Sequence, residues 1–150
     1  VTENKALAYL TSVEPASFDL DTYLLLIDKK KLATPEGRRE LTKEDPLLFA
    51  LVYFPNHLRG ASDDDSEDDE DADERITLSE FHIAWAQYGR TWMLRNKRRQ
   101  GRDVFVAPRE MGKSTWLFTI LPLWAGAHGH KKFIAAFAYK AGQSKTHLET

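Results

Sequence analysis

Residues 104–117 read Val104-Phe105-Val106-Ala107-Pro108-Arg109-Glu110-Met111-Gly112-Lys113-Ser114-Thr115-Trp116-Leu117. A short run of β-formers leads into a loop, and the loop closes on Gly-Lys-Ser-Thr at the head of an apolar segment. The stretch from Ala107 fits the phosphate-binding pattern G-x-x-x-x-G-K-S/T, with Ala107 in place of the first glycine. A loop that enters a helix N-terminus aims several backbone N–H groups at one spot, and the helix dipole adds partial positive charge there. Gly112 lets the backbone approach a phosphate, Lys113 supplies a mobile cation for the β- and γ-phosphates, and the Ser114 hydroxyl ligates Mg²⁺. Ala107 is compatible with the loop if φ there stays negative. The relaxed pattern arises by chance in roughly one in a hundred chains of this length, and here the expected strand before it and helix after it are also present. The phosphate-binding residues are therefore Ala107, Pro108, Arg109, Glu110, Met111, Gly112, Lys113, Ser114 and Thr115, with ATP and Mg²⁺ as the implied cofactors. Arg109 and Lys113 are the catalytic candidates. Arg109 adds a second cation near the γ-phosphate position, either to stabilise transition-state charge or to pair with Glu110 or another nearby acid.

Working outward, Ser114–Leu121 reads as a helix that Pro122 should kink or end. Ala125–Lys131 reads as a Gly/His loop, Phe133–Ala138 as a second apolar strand and Gln143–Glu149 as the start of another helix. Strand, loop, helix, strand, helix is the signature of a parallel sheet with crossover helices. The expected fold is α/β, an incomplete P-loop NTPase parallel-sheet core preceded by a helical leader.

The chain has 150 residues, with 21 Lys and Arg against 23 Asp and Glu, a formal net charge of −2. Hydrophobic residues make up 42%, enough for a core, which excludes wholesale disorder. The absence of cysteine excludes disulfides, thiolate metal sites and a cysteine nucleophile. The longest uncharged stretch, Ser114 to Gly129, is interrupted by Pro122 and two glycines and is too short for a membrane span. Ten of the fourteen residues from Ala61 to Glu74 are acidic, which leaves 13 acids against 21 bases elsewhere, a net of +8. Such a run reads as a self-repelling, disordered linker, and the basic remainder suits a polyanionic partner. The expected organisation is a helical leader over 1–60, the acidic linker over 61–75 and the first part of an ATPase domain over 76–150.

In the leader, Asp21–Leu32 reads as one short helix. Thr34-Pro35-Glu36 and Asp45-Pro46 each supply an N-cap followed by an N1 proline, and Pro55 stops the apolar segment after Asp45. Beyond the linker, Thr77 and Glu80 form a capping-box pair and Ile76 and Phe81 a hydrophobic staple. Leu78, Phe81, Trp85, Tyr88 and Trp92 then form one apolar stripe that packs in the core, leaving His82 and Gln87 off it for contacts. Arg95, Lys97, Arg98, Arg99 and Arg102 form a basic cluster, either a solvated loop or a phosphate-contacting one. His128 and His130 read as solvated, with metal binding alongside His147 as the alternative.

The segment from Phe105 to Leu117 resembles the ATPase domain of phage large terminase subunits, whose variant Walker A loop carries an early arginine, as Arg109 is here. Asp45–Ala50 with Phe54–Leu58, then Leu78–His82, resemble the leader of those proteins, and Phe133–Ala138 with Gln143 and His147-Leu148 resemble the segment after their loop. The resemblance runs from Asp45 onward and is specific at the loop. It implies an ATP-driven motor that moves double-stranded DNA into a procapsid in the cytoplasm of an infected bacterium. It also implies a homo-oligomeric ring on the portal protein and a small terminase subunit as partner, with no membrane involved. An apolar strand ending in Asp-Glu, the coupling motif and the acidic nuclease site all have no counterpart in these residues. The chain is accordingly expected to be the N-terminal part of a terminase, able at most to hold phosphates loosely. Another P-loop DNA motor such as a helicase, and a non-catalytic basic DNA-binding module, remain as alternatives.

Overall fold

The computed structural model describes residues 4–59, 76–94, 106 and 112–133. Seven α-helices are found among them: α1 (Lys5–Ser12), α2 (Leu20–Leu25), α3 (Lys29–Leu32), α4 (Pro35–Thr42), α5 (Pro46–Tyr53), α6 (Glu80–Leu94) and α7 (Leu121–Ala127). Short 3₁₀ turns lie at Pro15–Ser17 and Pro55–His57, and a π-helical segment, Thr115–Ile120, runs directly into α7. No helix among the described residues is long and apolar enough to cross a membrane.

The expected α/β parallel-sheet core is contradicted. The described residues form a helical fold with no strand and no sheet, and their one β-pairing is the isolated antiparallel bridge between Arg59 and Ile76. Val106 and Phe133, from the two expected strands, lie outside any strand and are 86% and 85% exposed. β-branched and aromatic residues favour strands because a sheet buries them, and here the two are not buried. The rest of both strands, the acidic run, the basic cluster and Gln143–Glu149 lie outside the described residues.

Local capping sets most of the helix starts. Thr34 Oγ1 accepts from Gly37 N–H at 3.1 Å and Asp45 Oδ1 from Leu48 N–H at 2.9 Å, each with proline in the first turn. The expected single helix over Asp21–Leu32 is instead two. Asp28 Oδ1 accepts from the N–H groups of Lys30 and Lys31, which starts α3 afresh after α2 has ended. This is how an Asp side chain competes with a continuing helix. The first helix, α1, has no counterpart among the expected elements; Asn4 caps it through Leu7 N–H.

After the acidic run the expected cap is displaced by two residues. Ser79, not Thr77, immediately precedes α6, and His82 Nδ1 reaches back to accept from Ser79 N–H at 3.1 Å. His82 thus fills the position of the Glu or Gln in a capping box. The stripe holds only at its start, where Trp85 is buried and Leu78 and Phe81 pack against the core. The buried residues of α6 are Ile83, Trp85, Ala86 and Gly89, while Tyr88 is 61% and Trp92 44% exposed. The small residues face inward because another helix lies close. A β-carbon at Gly89 would come within 2.7 Å of both methyl carbons of Leu121. Gln87 Nε2 donates to the carbonyls of Leu10 and Val13 at 2.7 and 2.9 Å, closing the end of α1.

The helix that begins after Gly112 runs through Pro122 instead of ending there. Proline has no N–H and its ring crowds the carbonyl four residues back. The chain answers by widening the preceding turns to the π form, in which Leu121 N–H bonds Trp116 O. The helix ends beyond Ala127, in a stretch expected to be loop. His130 N–H bonds Ala125 O at 2.8 Å, Gly129 N–H bonds Gly126 O at 3.1 Å, and Gly129 has φ +69°, a Schellman closure.

One apolar core contains residues from both sides of the acidic run, among them Ala6, Leu10, Tyr23, Leu47, Leu48, Ile83, Trp85, Trp116, Ile120 and Trp124. Within it sits the fully buried Asp45, whose Oδ2 accepts from Tyr23 O–H at 2.8 Å. Burial pushes its carboxyl up to about 6, opposed by the bonds from Leu48 and Tyr23, by the Leu47 backbone and by the Arg90 charge. The same burial, with the Asp45 charge, raises the Tyr23 hydroxyl well above its ordinary value.

In the folded chain Asp45 holds its proton to about pH 6, whereas unfolded it loses it near the ordinary 3.8. Between those values the folded state binds more protons, so this group's contribution to stability falls as pH rises through the window and is level above it. Asp45→Asn keeps the cap and removes the titration. It should gain on the parent by up to about 3 kcal/mol between pH 4 and 6, read by urea unfolding, while Asp45→Ala should lose about 2–4 kcal/mol throughout. A constant gap between parent and Asn variant across that range would show that the carboxyl titrates normally.

The bridge from Arg59 to Ile76 and the 2.9 Å bond from Thr77 N–H to Leu58 O hold the ends of the acidic segment together. Removing Asp63–Glu74 leaves four residues between Arg59 and Ile76, a hairpin-length connection. Stability should change by no more than about 1 kcal/mol, since loop length enters only logarithmically. A loss of several degrees in Tm would mean that the acidic residues make stabilising contacts.

Candidate phosphate-binding site

Of the loop residues predicted to hold phosphate, Gly112, Lys113, Ser114 and Thr115 are described, and Ala107, Pro108, Arg109, Glu110 and Met111 lie outside the described residues. The geometry at Gly112 is that of a turn entering a helix. Gly112 has φ +67°, the left-handed region that glycine enters without strain. Lys113 and Ser114 already have helical conformation, and the first backbone bond of the helix among the described residues runs from Trp116 N–H to Gly112 O at 3.0 Å. Lys113, Ser114 and Thr115 stand ahead of that bond, in the first turn, whose N–H groups a helix does not satisfy internally. Ser114 is exposed, and Lys113 and Thr115 are half-buried. Donors, dipole and a cation therefore converge on one helix terminus, the arrangement that suits an anion.

Two side chains fix this terminus from below. Trp116, one turn into the helix, is 1% exposed and anchors it in the core. The His82 ring stacks on it, with centroids 5.8 Å apart and planes at 17°. A β-carbon at Gly112 would lie 3.3 Å from His82 Nε2 and 3.9 Å from Trp116 Cδ1. Close packing adds to the φ requirement for glycine there. Sequence reasoning places His82 off the apolar stripe, left for contacts, and names no partner for it. The available signal is the Ser79-x-x-His82 spacing, which is that of a capping box.

Beside these residues runs a groove of about 560 Å³ lined by Phe18, Leu20, Leu78, Ser79 and Ile83 among others. Ser79 Oγ is buried without a hydrogen-bond partner. At the far end of the same helix, the histidines expected to be solvated are bound to the fold. His128 Nε2 lies 3.1 Å from Thr42 Oγ1, and His130 Nε2 meets Lys43 O. Burial, then the nearby His130, Arg39 and Lys43 charges, lowers the His128 pKa below its ordinary value. The alternative of a metal site with His147 falls on a residue outside the described ones. Among the described residues no group of three His, Asp or Glu is arranged to hold a metal.

Searches against family models, curated proteins and solved structures find no match to this chain.

Gly112→Ala and Gly126→Ala should have opposite effects. Gly112→Ala meets both the left-handed backbone and His82, and should destabilise by about 1–2 kcal/mol. Gly126 lies within α7 with nothing within 4 Å of a β-carbon, so alanine there should stabilise by up to about 1 kcal/mol. Chemical denaturation of the two variants beside the parent measures both. Equal effects would remove the conformational argument at Gly112.

Proposed function

We propose that this chain is the N-terminal part of an ATP-hydrolysing motor that packages double-stranded DNA into viral procapsids, a large terminase subunit. In this reading it binds the phosphates of ATP at the Gly112–Thr115 helix terminus. The observation that carries the reading is Gly112 at φ +67°, followed at once by a helical turn bearing Lys113 and Ser114. A glycine turn entering a helix supports the reading because it leaves the first-turn N–H groups available to an anion. The terminase assignment itself rests on the sequence resemblance around Arg109 and Lys113.

The residues fit the group. The N–H groups of Lys113, Ser114 and Thr115 would cradle phosphate oxygens, and the Lys113 ammonium would meet the β- and γ-phosphates. The exposed Ser114 hydroxyl is suited to a Mg²⁺ ligand. When bound, Mg²⁺ neutralises phosphate charge as the terminal group is transferred. Arg109, placed by sequence alone, would act where charge redistributes at the γ-phosphate. Double-stranded DNA, a portal protein and a small terminase subunit are the partners this reading entails, with a ring of identical subunits as the working assembly.

Ground-state and transition-state roles separate in mutants. Lys113 meets charge already present on bound nucleotide, so in an ATPase-competent form Lys113→Ala should abolish hydrolysis and weaken binding together. Arg109→Ala should leave nucleotide affinity within a few-fold while turnover falls by roughly three orders of magnitude, as for arginine fingers. Arg109→Lys should rescue poorly, because an ammonium lacks the planar two-pronged contact. Nucleotide titration beside single-turnover hydrolysis reads both quantities. Near-normal turnover in Lys113→Ala would sink the phosphate-loop reading. Equal losses in Arg109→Ala would make that residue a ground-state anchor, and no loss would make it an ion-pair partner. Binding of DNA with steep salt dependence and no response to ATP would favour the basic DNA-binding module instead.

A further inference from the structure

His82 comes from a different helix than the candidate phosphate site, yet its ring approaches the turn on which that site depends. Its Nδ1 accepts from Ser79 N–H at 3.1 Å, so Nδ1 carries no proton and the neutral ring carries its proton on Nε2. The ring plane is fixed by stacking on Trp116 and by a tilted contact with Trp85, centroids 5.6 Å apart. Trp116 is buried, so the ring cannot swing without disturbing the core. With Nδ1 bonded to Ser79 and the ring stacked, Nε2 lies beside Gly112, 3.3 Å from where a β-carbon would stand.

We propose that His82 is the positioning residue for the phosphate-binding turn. Held in one tautomer by Ser79, it presents its Nε2–H side to Gly112 and fixes the direction in which the N–H groups of Lys113, Ser114 and Thr115 point. The start of α6 and the helix terminus after Gly112 thereby act as one rigid unit. The ring serves both as the cap of its own helix and as the support of another. The consequence for nucleotide rests on the phosphate-binding reading above; the positioning itself does not. Preorganised donors bind an anion better than donors that must be ordered on binding, and a small rotation of three N–H groups is enough to lose the gain.

Two substitutions separate the two ends of the ring. His82→Asn keeps an oxygen near the Nδ1 position, and so the cap, but does not reach Gly112. His82→Gln keeps the capping-box acceptor type and also reaches as far as Nε2. The experiment uses the ¹⁵N-labelled 150-residue chain, with MgADP as the probe and NMR as the readout, which follows weak binding directly. In the parent, the His82 ring nitrogens should show the Nε2-protonated neutral tautomer at pH 7.5. His82→Asn should keep Tm within about 2 °C, shift the Gly112 amide resonance and weaken MgADP binding about tenfold, since the donors must then be ordered on binding. His82→Gln should bind within about threefold of the parent.

Any one of three results overturns the proposal: an Nδ1-protonated ring, an unmoved Gly112 resonance in His82→Asn, or His82→Gln no better than His82→Asn. Lys113→Ala measured in parallel keeps the two ideas apart. If it binds MgADP like the parent, the phosphate reading fails. The tautomer and the Gly112 resonance, which need no nucleotide, still decide the role of His82.

Discussion

Asp45 caps α5 from inside the core, where a carboxylate has no water to solvate it. A charge in that position is tolerated only if other groups supply hydrogen bonds. Here they come from the Leu48 backbone and from the Tyr23 hydroxyl, and the Arg90 charge adds its field. Arg90 is itself held by Glu44, with Nε on the carbonyl at 2.9 Å and NH2 on the carboxylate at 3.0 Å. One short stretch, Glu44-Asp45, therefore obliges α2, α5 and α6 to meet. Leaving any of these partners out strands a buried charge, so the leader and the helix beyond the acidic run are tied by electrostatic necessity as well as by apolar packing.

The second half of the chain attaches to the same junction. Trp124 Nε1–H donates to Thr42 O at 2.8 Å, and the histidines after α7 bind the Thr42 side chain and the Lys43 carbonyl. These are the last carbonyls of α4, which a helix end leaves without internal partners. The end of α7 is thus fixed against the end of α4, and Leu121 is fixed against Gly89 of α6. With both points set, the direction of the helix that begins at Gly112 is determined. Its first turn reaches the start of α6, where His82 stands.

The features legible in the sequence are local. Thr34 and Asp45 announce helix starts because a cap is a contact between residues three apart, and Pro55 stops α5 through its own ring. Gly112, Lys113 and Ser114 are legible for the same reason, since the turn and the helix terminus lie within four residues of chain. Patterns that depend on a distant partner mislead. The aromatic stripe of α6 holds at Phe81 and Trp85 but not at Tyr88 and Trp92, because farther along the helix the close approach of Leu121 selects Gly89. Val106 and Phe133 have strand-forming side chains, yet strand formation needs a neighbouring strand, and none is found among the described residues. Pro122 reads as a helix kink or stop. Its missing N–H instead changes the helix register ahead of it, an option open because Trp116, Ile120 and Trp124 are all buried and hold the segment in place.

A helix terminus can offer an anion its N–H groups whatever lies behind it, so the chemistry proposed for Gly112–Thr115 requires a rigid support and not a particular one. In this helical frame the support is α6. Its first turn carries His82 to Gly112, its middle carries Gln87 to the end of α1 and its next turn carries Arg90 to Glu44. The three contacts lie within nine residues of one helix, so they move together if α6 moves. Anything that shifted the start of α6 would therefore reorient the donors after Gly112 while straining the Glu44 and α1 contacts. Such coupling would hold the terminus in place, which is what the proposed backbone N–H site would need most.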